Sequence, residues 1–249
     1  DQYLGEKSTG PVPLLLKTLR PALMLWDHWA AHRSAVYVAN ASVIKKRIEN
    51  VYGKKDVSIF FPPHSVDPTA PVEPIPGLEE FTESDDYFLI VSRLLPYKNV
   101  DKAIEACNEL GKKLLVIGRG PEKERLEALA GPTVRIVSGV SDAQLRYAYR
   151  HCLALLAISY EDFGITPLEA GASGKAVIAY RAGGFLDTIQ EGKTGMFINQ
   201  PTVEQLVEAL KAFNPDDWDA DYIREHVDGF SEARFISRLK MYVQALPED

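Results

Sequence analysis

A regular alternation of apolar runs and amphipathic segments between Tyr87 and Ala179 limits this chain to few folds. Each apolar run has the length of a strand and is apolar on both faces, which is typical of strands buried in a parallel sheet. The predicted strands are 87–91, 114–117, 134–137, 153–157 and 176–179, and the predicted helices among them are 99–110, 121–130, 142–151 and 167–173. We therefore predict an α/β fold, a doubly wound Rossmann-like parallel sheet, with ligands bound beyond the carboxyl ends of its strands.

The residues on either side of this alternation are organised differently. Before it, helices are predicted at 13–32 and 41–52, and short strands at 36–39 and 57–61. Six prolines between Pro62 and Pro76 preclude regular structure there and predict a linker. After it, three helices are predicted at 203–213, 219–226 and 231–245.

Composition and charge exclude some functions. The net charge of −7 argues against a general nucleic-acid binder, although a few well-placed cations suffice for a small anionic ligand. The two cysteines, Cys107 and Cys152, lie in apolar, periodic surroundings and predict buried free thiols of a cytoplasmic protein. The sequence contains no run of about 18 apolar residues, the length that a membrane-spanning helix needs.

Two cations flank a short turn after the predicted strand 87–91. Arg93 and Lys98 stand at its carboxyl end, where both can reach one diphosphate. Arginine supplies a planar fork of donors and lysine a point charge, a pairing that suits phosphate oxygens. The alternative is that both are solvated surface cations.

The segment from Glu161 to Glu169 follows the predicted strand 153–157. Thr166 is predicted as the N-cap and Pro167 as the first residue of the next helix. The backbone amides ahead of this helix are expected to accept phosphate or sugar oxygens, and they belong to Phe163, Gly164 and Ile165. Glu161 could accept hydrogen bonds from sugar hydroxyls and Glu169 from ribose hydroxyls, but Thr166 and Glu169 also have the spacing of a capping box.

Three glycine-containing turns are weaker candidates. Gly183 and Gly184 offer free amides before a helical turn, with Asp187 close enough in sequence to reach a sugar, although a tight turn also explains the pair. Gly139 begins a loop that could hold a nucleobase through backbone contacts. Gly118 and Gly120 do not form a dinucleotide fingerprint, because Lys123 stands where the third glycine belongs.

Neither a metal site nor a serine nucleophile is predicted. His28 and His32 lie one helical turn apart, but no glutamate follows His28 as a zinc-protease motif requires. The sequence also lacks the Gly-x-Ser-x-Gly elbow of serine hydrolases.

Taken together and in this order, four blocks resemble glycosyltransferase family 4, the retaining enzymes with the two-domain GT-B fold. The blocks are Ser92-Arg93-Leu94 with Lys98, Gly139-x-Ser141-Asp142-x-x-Leu145, Glu161-x7-Glu169, and Gly183-Gly184 leading to Glu191-Gly192-Lys193-Thr194-Gly195. The resemblance implies that Arg93 and Lys98 bind the donor diphosphate, that Glu161 binds the transferred sugar and that Glu169 binds the ribose. It also implies that the amides of residues 163–166 contact sugar and phosphate, with no cofactor and no obligatory metal. Ala176 and Asp187 depart from the family pattern, which often has Pro and Glu there.

The resemblance also implies a division into domains. Residues 1–61 would be the last elements of an N-terminal acceptor domain, 62–76 the linker, 77–230 the donor-binding domain, and 231–249 a helix that crosses back. Because the chain opens on Asp1-Gln2-Tyr3 without an initiator Met, we expect a fragment of a longer protein. The early segment is most similar to members that transfer mannose from GDP-mannose in polysaccharide assembly.

On this basis we predict a retaining hexosyltransferase that binds a nucleoside-diphosphate sugar and a glycan or lipid-linked acceptor. It would lie in the cytoplasm, with any peripheral membrane association made through the missing half, and this chain alone would bind the donor without transferring the sugar. A non-catalytic nucleotide-sugar-binding or subunit-interaction domain is the alternative. A nicotinamide-dependent oxidoreductase and a pyridoxal-containing phosphorylase are further rivals, the first disfavoured by the broken glycine fingerprint.

Overall fold

The computed structural model describes residues 11–33 and 36–246, with side chains from residue 18 onward. The opening segment Asp1-Gln2-Tyr3 and the last three residues of the predicted final segment therefore lie outside the described residues. Backbone contacts divide the chain into two compact units, residues 1–60 and 61–249. The boundary falls just before the proline-rich segment, which contains no strand or helix between residues 62 and 76.

The first unit contains two helices and two short strands. They are α1 (Pro11–His32), β1 (Tyr37–Ala39), α2 (Ser42–Tyr52) and β2 (Val57–Ile59), and the two strands pair in parallel. Helix α2 ends where Gly53 takes a left-handed conformation, at a φ of 66°, which glycine adopts without steric cost. In α1 the large side chains of Trp26 and Trp29 are exposed.

The second unit is built from six strands and nine helices within the described residues. The strands are β3 (Tyr87–Val91), β4 (Lys113–Ile117), β5 (Val134–Val137), β6 (Leu155–Ala157), β7 (Val177–Tyr180) and β8 (Gly195–Ile198). The helices are α3 (Glu79–Thr82), α4 (Val100–Leu110), α5 (Lys123–Leu129), α6 (Asp142–His151), α7 (Thr166–Ala172), α8 (Phe185–Thr188), α9 (Val203–Ala212), α10 (Ala220–Asp228) and α11 (Glu232–Gln244).

The six strands form one parallel sheet in the order β5-β4-β3-β6-β7-β8. The chain first moves outward from β3 to β5, then returns past β3 and continues outward from β6 to β8. Their order reverses between β3 and β6, and at such a switch point the loops leaving the two strands diverge and open a crevice. The doubly wound Rossmann-like sheet predicted from the sequence is thus confirmed.

The alternation of side chains along β3 builds a core on both faces of the sheet. Phe88 and Ile90 belong to a buried cluster with residues of α4 and α9, whereas Tyr87 and Leu89 belong to a second cluster with residues of α6 and α7. This is why the strand is apolar at every position. Cys107 lies in the first cluster and Cys152 in the second, both as free, buried thiols, as predicted.

Several element boundaries and one strand differ from the sequence prediction. Strand β6 begins at Leu155 rather than at residue 153, and α5 begins at Lys123 because Pro121 and Glu122 form a turn. Strand β8 was not predicted, because its residues Gly195–Ile198 include a glycine and directly follow the turn at Gly192. No helix among the described residues has the length and apolar character needed to cross a membrane.

Candidate functional site

A cavity of about 190 Å³ opens at the switch point between β3 and β6. Its walls are the ends of these two strands and the loops that follow them, together with Phe185 of α8. Of the residues singled out from the sequence, six line it: Arg93, Lys98, Glu161, Gly164, Ile165 and Thr166. The structure therefore brings the cation pair, one of the two carboxylates and the turn before α7 to a single cavity.

The turn that carries Arg93 and Lys98 is fixed by contacts on both sides. Residues Pro96–Lys98 form one turn of 3₁₀ helix, and Asn99 follows in a left-handed conformation with a φ of 56°. The Asn99 side chain donates a hydrogen bond of 2.9 Å to the carbonyl oxygen of Ile158, at the end of β6. This bond ties the loop after β3 to the neighbouring strand, so Lys98 is held at the cavity.

Two glycines after β4, Gly118 and Gly120, pack against the backbone of the same loop after β3. A methyl group added to Gly118 would lie 1.9 Å from the carbonyl oxygen of Ser92, and one added to Gly120 would lie 2.3 Å from that of Leu94. Between them, the Arg119 carbonyl accepts a 2.9 Å hydrogen bond from the Leu94 amide. Glycine is required at both positions because the loops after β3 and β4 pack closely there, so a dinucleotide-binding role is not needed to account for the two glycines.

Two of the three charged side chains of the cavity, Lys98 and Glu161, form an ion pair. The ammonium of Lys98 contacts Oε1 of Glu161, and both side chains are largely buried, with 12% and 23% of their surface exposed. The Ser159 hydroxyl donates to the same Glu161 oxygen over 2.5 Å. Arg93 is more exposed, and its guanidinium donates to the Tyr97 hydroxyl over 3.3 Å. A ligand that enters the cavity thus meets a buried lysine–carboxylate pair beside an exposed arginine.

The turn before α7 differs from the prediction by one residue. Ile165 is the N-cap and Thr166 the first helical residue, with no side-chain hydrogen bond from the cap. Gly164 has a φ of 80°, and an added methyl group would lie 2.3 Å from Cε1 of Phe185, so only glycine fits here. Helix α7 has only seven residues, so its N-terminus can add to the binding of an anion by the two cations but cannot bind an anion without them.

Phe163 does not line the cavity. Its side chain is buried, and its ring stacks on that of Phe61 with the centroids 5.8 Å apart. Any contribution of Phe163 to a ligand would come from its backbone.

The predicted capping box at the start of α7 is wrong. The Glu169 carboxylate instead accepts a 2.6 Å hydrogen bond from the hydroxyl of Tyr149, a fully buried residue of α6. Burial raises the pKa of Glu169, and the hydrogen bond from Tyr149 acts in the opposite direction. Glu169 is partly buried, beside the cavity rather than in its lining. It is therefore free of the capping role that competed with ligand binding.

The two glycines after β7 serve packing more than anion binding. The Gly184 amide donates to the carbonyl oxygen of Glu161 over 2.9 Å, so it is not the free amide that the sequence suggested. A methyl group at Gly183 would lie 2.1 Å from the Glu161 carbonyl oxygen, and one at Gly184 would lie 2.2 Å from Cα of Phe163. The pair thus holds the Glu161 loop in place. Asp187 lies in α8 and its amide donates to the Gly184 carbonyl over 3.0 Å.

Gly139 lies outside this cavity, in the loop between β5 and α6. Its φ is 76°, and no atom lies within 4 Å of the position of an added methyl group. A capping box starts the helix that follows it: the side chains of Ser141 and Gln144 each accept a hydrogen bond from the other's backbone amide.

Four residues at or beside the cavity were missed from the sequence: Asn99, Tyr149, Ser159 and Phe185. Two of them approach a predicted residue through the fold rather than through sequence spacing: Tyr149 bonds Glu169 from a different helix, and the Phe185 ring packs against Gly164. Ser159 could have been found, since it precedes Glu161 by two residues at the end of an apolar run. In residues 11–33 and 36–246, no three His, Cys, Asp or Glu side chains are grouped so that they could hold a metal ion.

Comparison with known families places this cavity in context. Residues 74–227 match the family model described as glycosyl transferases group 1. A glycogen synthase from Pseudomonas syringae pv. syringae is 34% identical over 133 residues, which are 49% of this chain and 27% of that protein. A GDP-mannose-dependent alpha-(1-6)-phosphatidylinositol monomannoside mannosyltransferase from Mycobacterium tuberculosis is 30% identical over 138 residues, 48% of this chain and 36% of that protein.

Solved structures share the fold at lower identity. Sucrose-phosphate synthase from Thermosynechococcus elongatus superposes with a TM-score of 0.76 at 19% identity, covering 90% of this chain and 61% of that one. Anabaena HepE in complex with UDP-glucose gives a TM-score of 0.74 at 15% identity, covering 90% and 67%. The chain therefore spans about a quarter to a third of the curated relatives' length and less than two thirds of the sucrose-phosphate synthase chain.

Proposed function

The chain belongs to the glycosyl transferases group 1 family, and on that premise we propose that it binds the nucleoside-diphosphate sugar donor of a retaining glycosyltransferase of family 4. The observation that carries the proposal is the shared cavity of Arg93, Lys98 and Glu161 at the switch point of the sheet. Ligands of doubly wound sheets bind at this position. A cavity that combines two cations with a carboxylate suits a ligand that is anionic at one end and rich in hydroxyls at the other.

We assign the diphosphate to Arg93 and Lys98. The exposed guanidinium of Arg93 can form a two-pronged contact with phosphate oxygens, and the ammonium of Lys98 lies deeper in the same cavity. The amides of Gly164, Ile165 and Thr166 add hydrogen-bond donors on the opposite wall. These groups stabilise the negative charge that grows on the departing diphosphate, which is electrostatic catalysis of leaving-group loss.

We assign the transferred sugar to Glu161 and the ribose to Glu169. The Glu161 carboxylate lines the cavity beside Lys98, so a sugar attached to a bound diphosphate would lie within its reach. Glu169 lies in the first turn of α7, one turn beyond Thr166, and makes no cap that would compete. Carboxylate oxygens accept hydrogen bonds from hydroxyl groups, which suits both assignments.

Retention of configuration requires the acceptor hydroxyl to approach the sugar on the face from which the diphosphate leaves. We propose that neither a cofactor nor an obligatory metal takes part, because the two cations can neutralise the leaving group. We propose GDP-mannose as the donor, supported by the Mycobacterium tuberculosis relative whose name states GDP-mannose dependence. UDP-glucose is the second candidate, because HepE, which shares the fold, is solved in complex with UDP-glucose.

For the acceptor of the transferred sugar, we propose a glycan or a lipid-linked glycan. Because the chain spans only part of its relatives, transfer is proposed for the whole protein and donor binding for this chain. We propose a cytoplasmic location, at the inner face of the membrane if the acceptor is lipid-linked.

Calorimetric titration of the chain with GDP, UDP and ADP tests donor binding. We expect one nucleotide to bind at micromolar to millimolar concentration, and Arg93→Ala and Lys98→Ala each to weaken it. The matched controls are Arg135→Ala and Lys113→Ala, because these residues lie at the starts of β5 and β4, at the opposite edge of the sheet. If no nucleotide binds at millimolar concentration, or if the controls weaken binding as much, the proposal is wrong.

Assay of the whole protein with candidate donors separates a transferase from a non-catalytic nucleotide-sugar-binding domain. A transferase consumes the donor only when an acceptor is present, and the product keeps the anomeric configuration of the donor. Donor binding without any product, across a panel of glycan and lipid-linked acceptors, would favour the non-catalytic alternative.

A further inference from the structure

Glu169 is held by a side chain that the proposed function leaves without a role. The hydroxyl of Tyr149 donates to Oε2 of Glu169 over 2.6 Å, from a different helix and from a fully buried position. We propose that Tyr149 is a positioning residue for ribose recognition, which fixes the Glu169 carboxylate so that its other oxygen accepts from the ribose hydroxyls. This inference rests on the proposed function, since it takes Glu169 as the ribose ligand.

The direction of helix α6 places the Tyr149 hydroxyl toward the carboxyl edge of the sheet, where Glu169 lies. Helix α6 begins at the carboxyl edge of the sheet and runs back along it, and Tyr149 lies near its end. Side chains of a helix tilt toward its N-terminus, so the ring of Tyr149 points back toward the edge where the cavity lies. Glu169, in the first turn of α7, meets the hydroxyl there.

The packing around Tyr149 makes this contact rigid. Its ring is part of the buried cluster that also contains Ala170, the neighbour of Glu169, and Leu155 of β6. A buried aromatic ring in a close-packed core has one available position, so the hydroxyl cannot swing away from the carboxylate. Removing the hydroxyl would leave the carboxylate free to take other rotamers.

The hydrogen bond from Tyr149 also favours the form of Glu169 that accepts hydrogen bonds. Burial raises the pKa of Tyr149 well above its ordinary value, so the hydroxyl stays protonated and is a permanent donor. By donating to Oε2 it favours the ionised form of Glu169, against the effect of burial on that carboxyl. The ionised carboxylate is the form that accepts hydrogen bonds at both oxygens.

Tyr87 provides a matched control for the loss of a buried hydroxyl. It belongs to the same cluster, is equally buried, and donates to the backbone carbonyl of Ala148 over 2.9 Å. Tyr87→Phe and Tyr149→Phe therefore remove the same group from the same environment, and only the second touches a carboxylate. Any effect of lost core stability would appear in both variants.

The test compares ribonucleotides with nucleotides that lack the ribose hydroxyls. The dissociation constants of GDP and UDP, and of their 2′,3′-dideoxy forms, are measured for the wild type, Tyr149→Phe, Tyr87→Phe, Glu169→Gln and the double variant Tyr149→Phe/Glu169→Gln. We expect the wild type to prefer the ribonucleotide, and Tyr149→Phe and Glu169→Gln each to reduce that preference roughly tenfold, the size of a hydrogen bond to a charged group. Tyr87→Phe should keep the wild-type preference. The double variant should lose no more than Glu169→Gln, because the two residues act as one unit.

The ratio of two dissociation constants does not depend on how much of a preparation is folded, and bound nucleotide itself stabilises the native state. A destabilised variant therefore still gives a result. If Tyr149→Phe keeps the wild-type preference while Glu169→Gln loses it, Tyr149 is structural only and the inference is wrong. If Glu169→Gln keeps the preference, the ribose assignment in the proposed function fails, and the inference fails with it. An absence of nucleotide binding by the wild type would instead contradict donor binding as a whole.

Discussion

Replacement of Lys98 by alanine, alone and together with Glu161→Gln, tests whether the ion pair in the cavity is exchanged for the donor. In the free protein the Lys98 ammonium contacts the Glu161 carboxylate. A bound diphosphate would compete for that ammonium. Lys98→Ala removes a cation from the ligand and also leaves the Glu161 carboxylate unpaired beside an anion, so the two effects add.

The magnitude follows from the burial of the pair. With 12% and 23% of their side chains exposed, Lys98 and Glu161 lie between a surface pair, worth about 0.2–1 kcal/mol, and a buried pair, whose disruption costs about 3–5 kcal/mol. The Ser159 hydroxyl still donates to Glu161 and lowers the cost of an unpaired carboxylate. We expect Lys98→Ala to weaken nucleoside diphosphate binding about 100-fold, and Glu161→Gln in that background to recover about tenfold, each tenfold being about 1.4 kcal/mol.

The assay is calorimetry with the nucleoside diphosphate and with its sugar conjugate, on the wild type, both single variants and the double variant. Glu161→Gln alone should bind the free diphosphate as tightly as the wild type or more tightly, because it releases Lys98. It should also lose the additional affinity that the sugar provides.

Two results would refute this reasoning. If Lys98→Ala and the double variant bind the diphosphate equally weakly, the unpaired carboxylate exerts no repulsion. If Glu161→Gln weakens binding of the free diphosphate, Glu161 orients Lys98 toward the ligand and does not compete with it.

Three further predictions follow from particular contacts. Gly184→Ala should cost about 3 kcal/mol, a fall of roughly 6–12 °C in melting temperature, because the added methyl group would lie 2.2 Å from Cα of Phe163. Gly139→Ala meets no atom within 4 Å and carries only the strain of its left-handed backbone, about 1–2 kcal/mol, so it should cost less, and equal losses in thermal melts would contradict the packing argument. Cys107 and Cys152 should resist a thiol reagent in the native protein and react on unfolding, because burial raises the pKa of both to about 12; rapid labelling of either in the native state would be inconsistent with this. Since the pKa of Glu169 is raised in the folded chain, the native state binds its proton more tightly than the unfolded state, and stability falls as pH rises from the ordinary value through the raised one. The melting temperature of Glu169→Gln relative to wild type should therefore be higher at pH 7 than at pH 4, and a pH-independent difference would contradict it.

The sequence predicted the sheet well because its strands are apolar on both faces, a pattern that few other structures produce. Strand β3, from Tyr87 to Val91, matches the prediction at both ends. The prediction failed at β8, whose residues Gly195–Ile198 combine a glycine, a methionine and only two strongly β-forming side chains. That strand forms because pairing with β7 supplies backbone partners, which local sequence cannot reveal.

The candidate site was predictable where function follows from position at a strand end, and not where it depends on contacts across the fold. Arg93, Lys98 and Glu161 were found because parallel strands bring their carboxyl ends to one edge. The partner of Glu169 was not, since Tyr149 lies 20 positions earlier and on another helix. The prediction that Gly184 has a free, anion-binding amide was wrong, because the Glu161 carbonyl that it bonds lies in a different loop, the one after β6.

A crystal structure of the chain with a bound nucleoside diphosphate is the most direct test of a single donor site at the switch point. We expect the diphosphate between the guanidinium of Arg93 and the ammonium of Lys98, with the ribose hydroxyls toward Glu169 and Lys98 released from Glu161. A nucleotide bound elsewhere, with the Lys98–Glu161 pair undisturbed, would contradict the account.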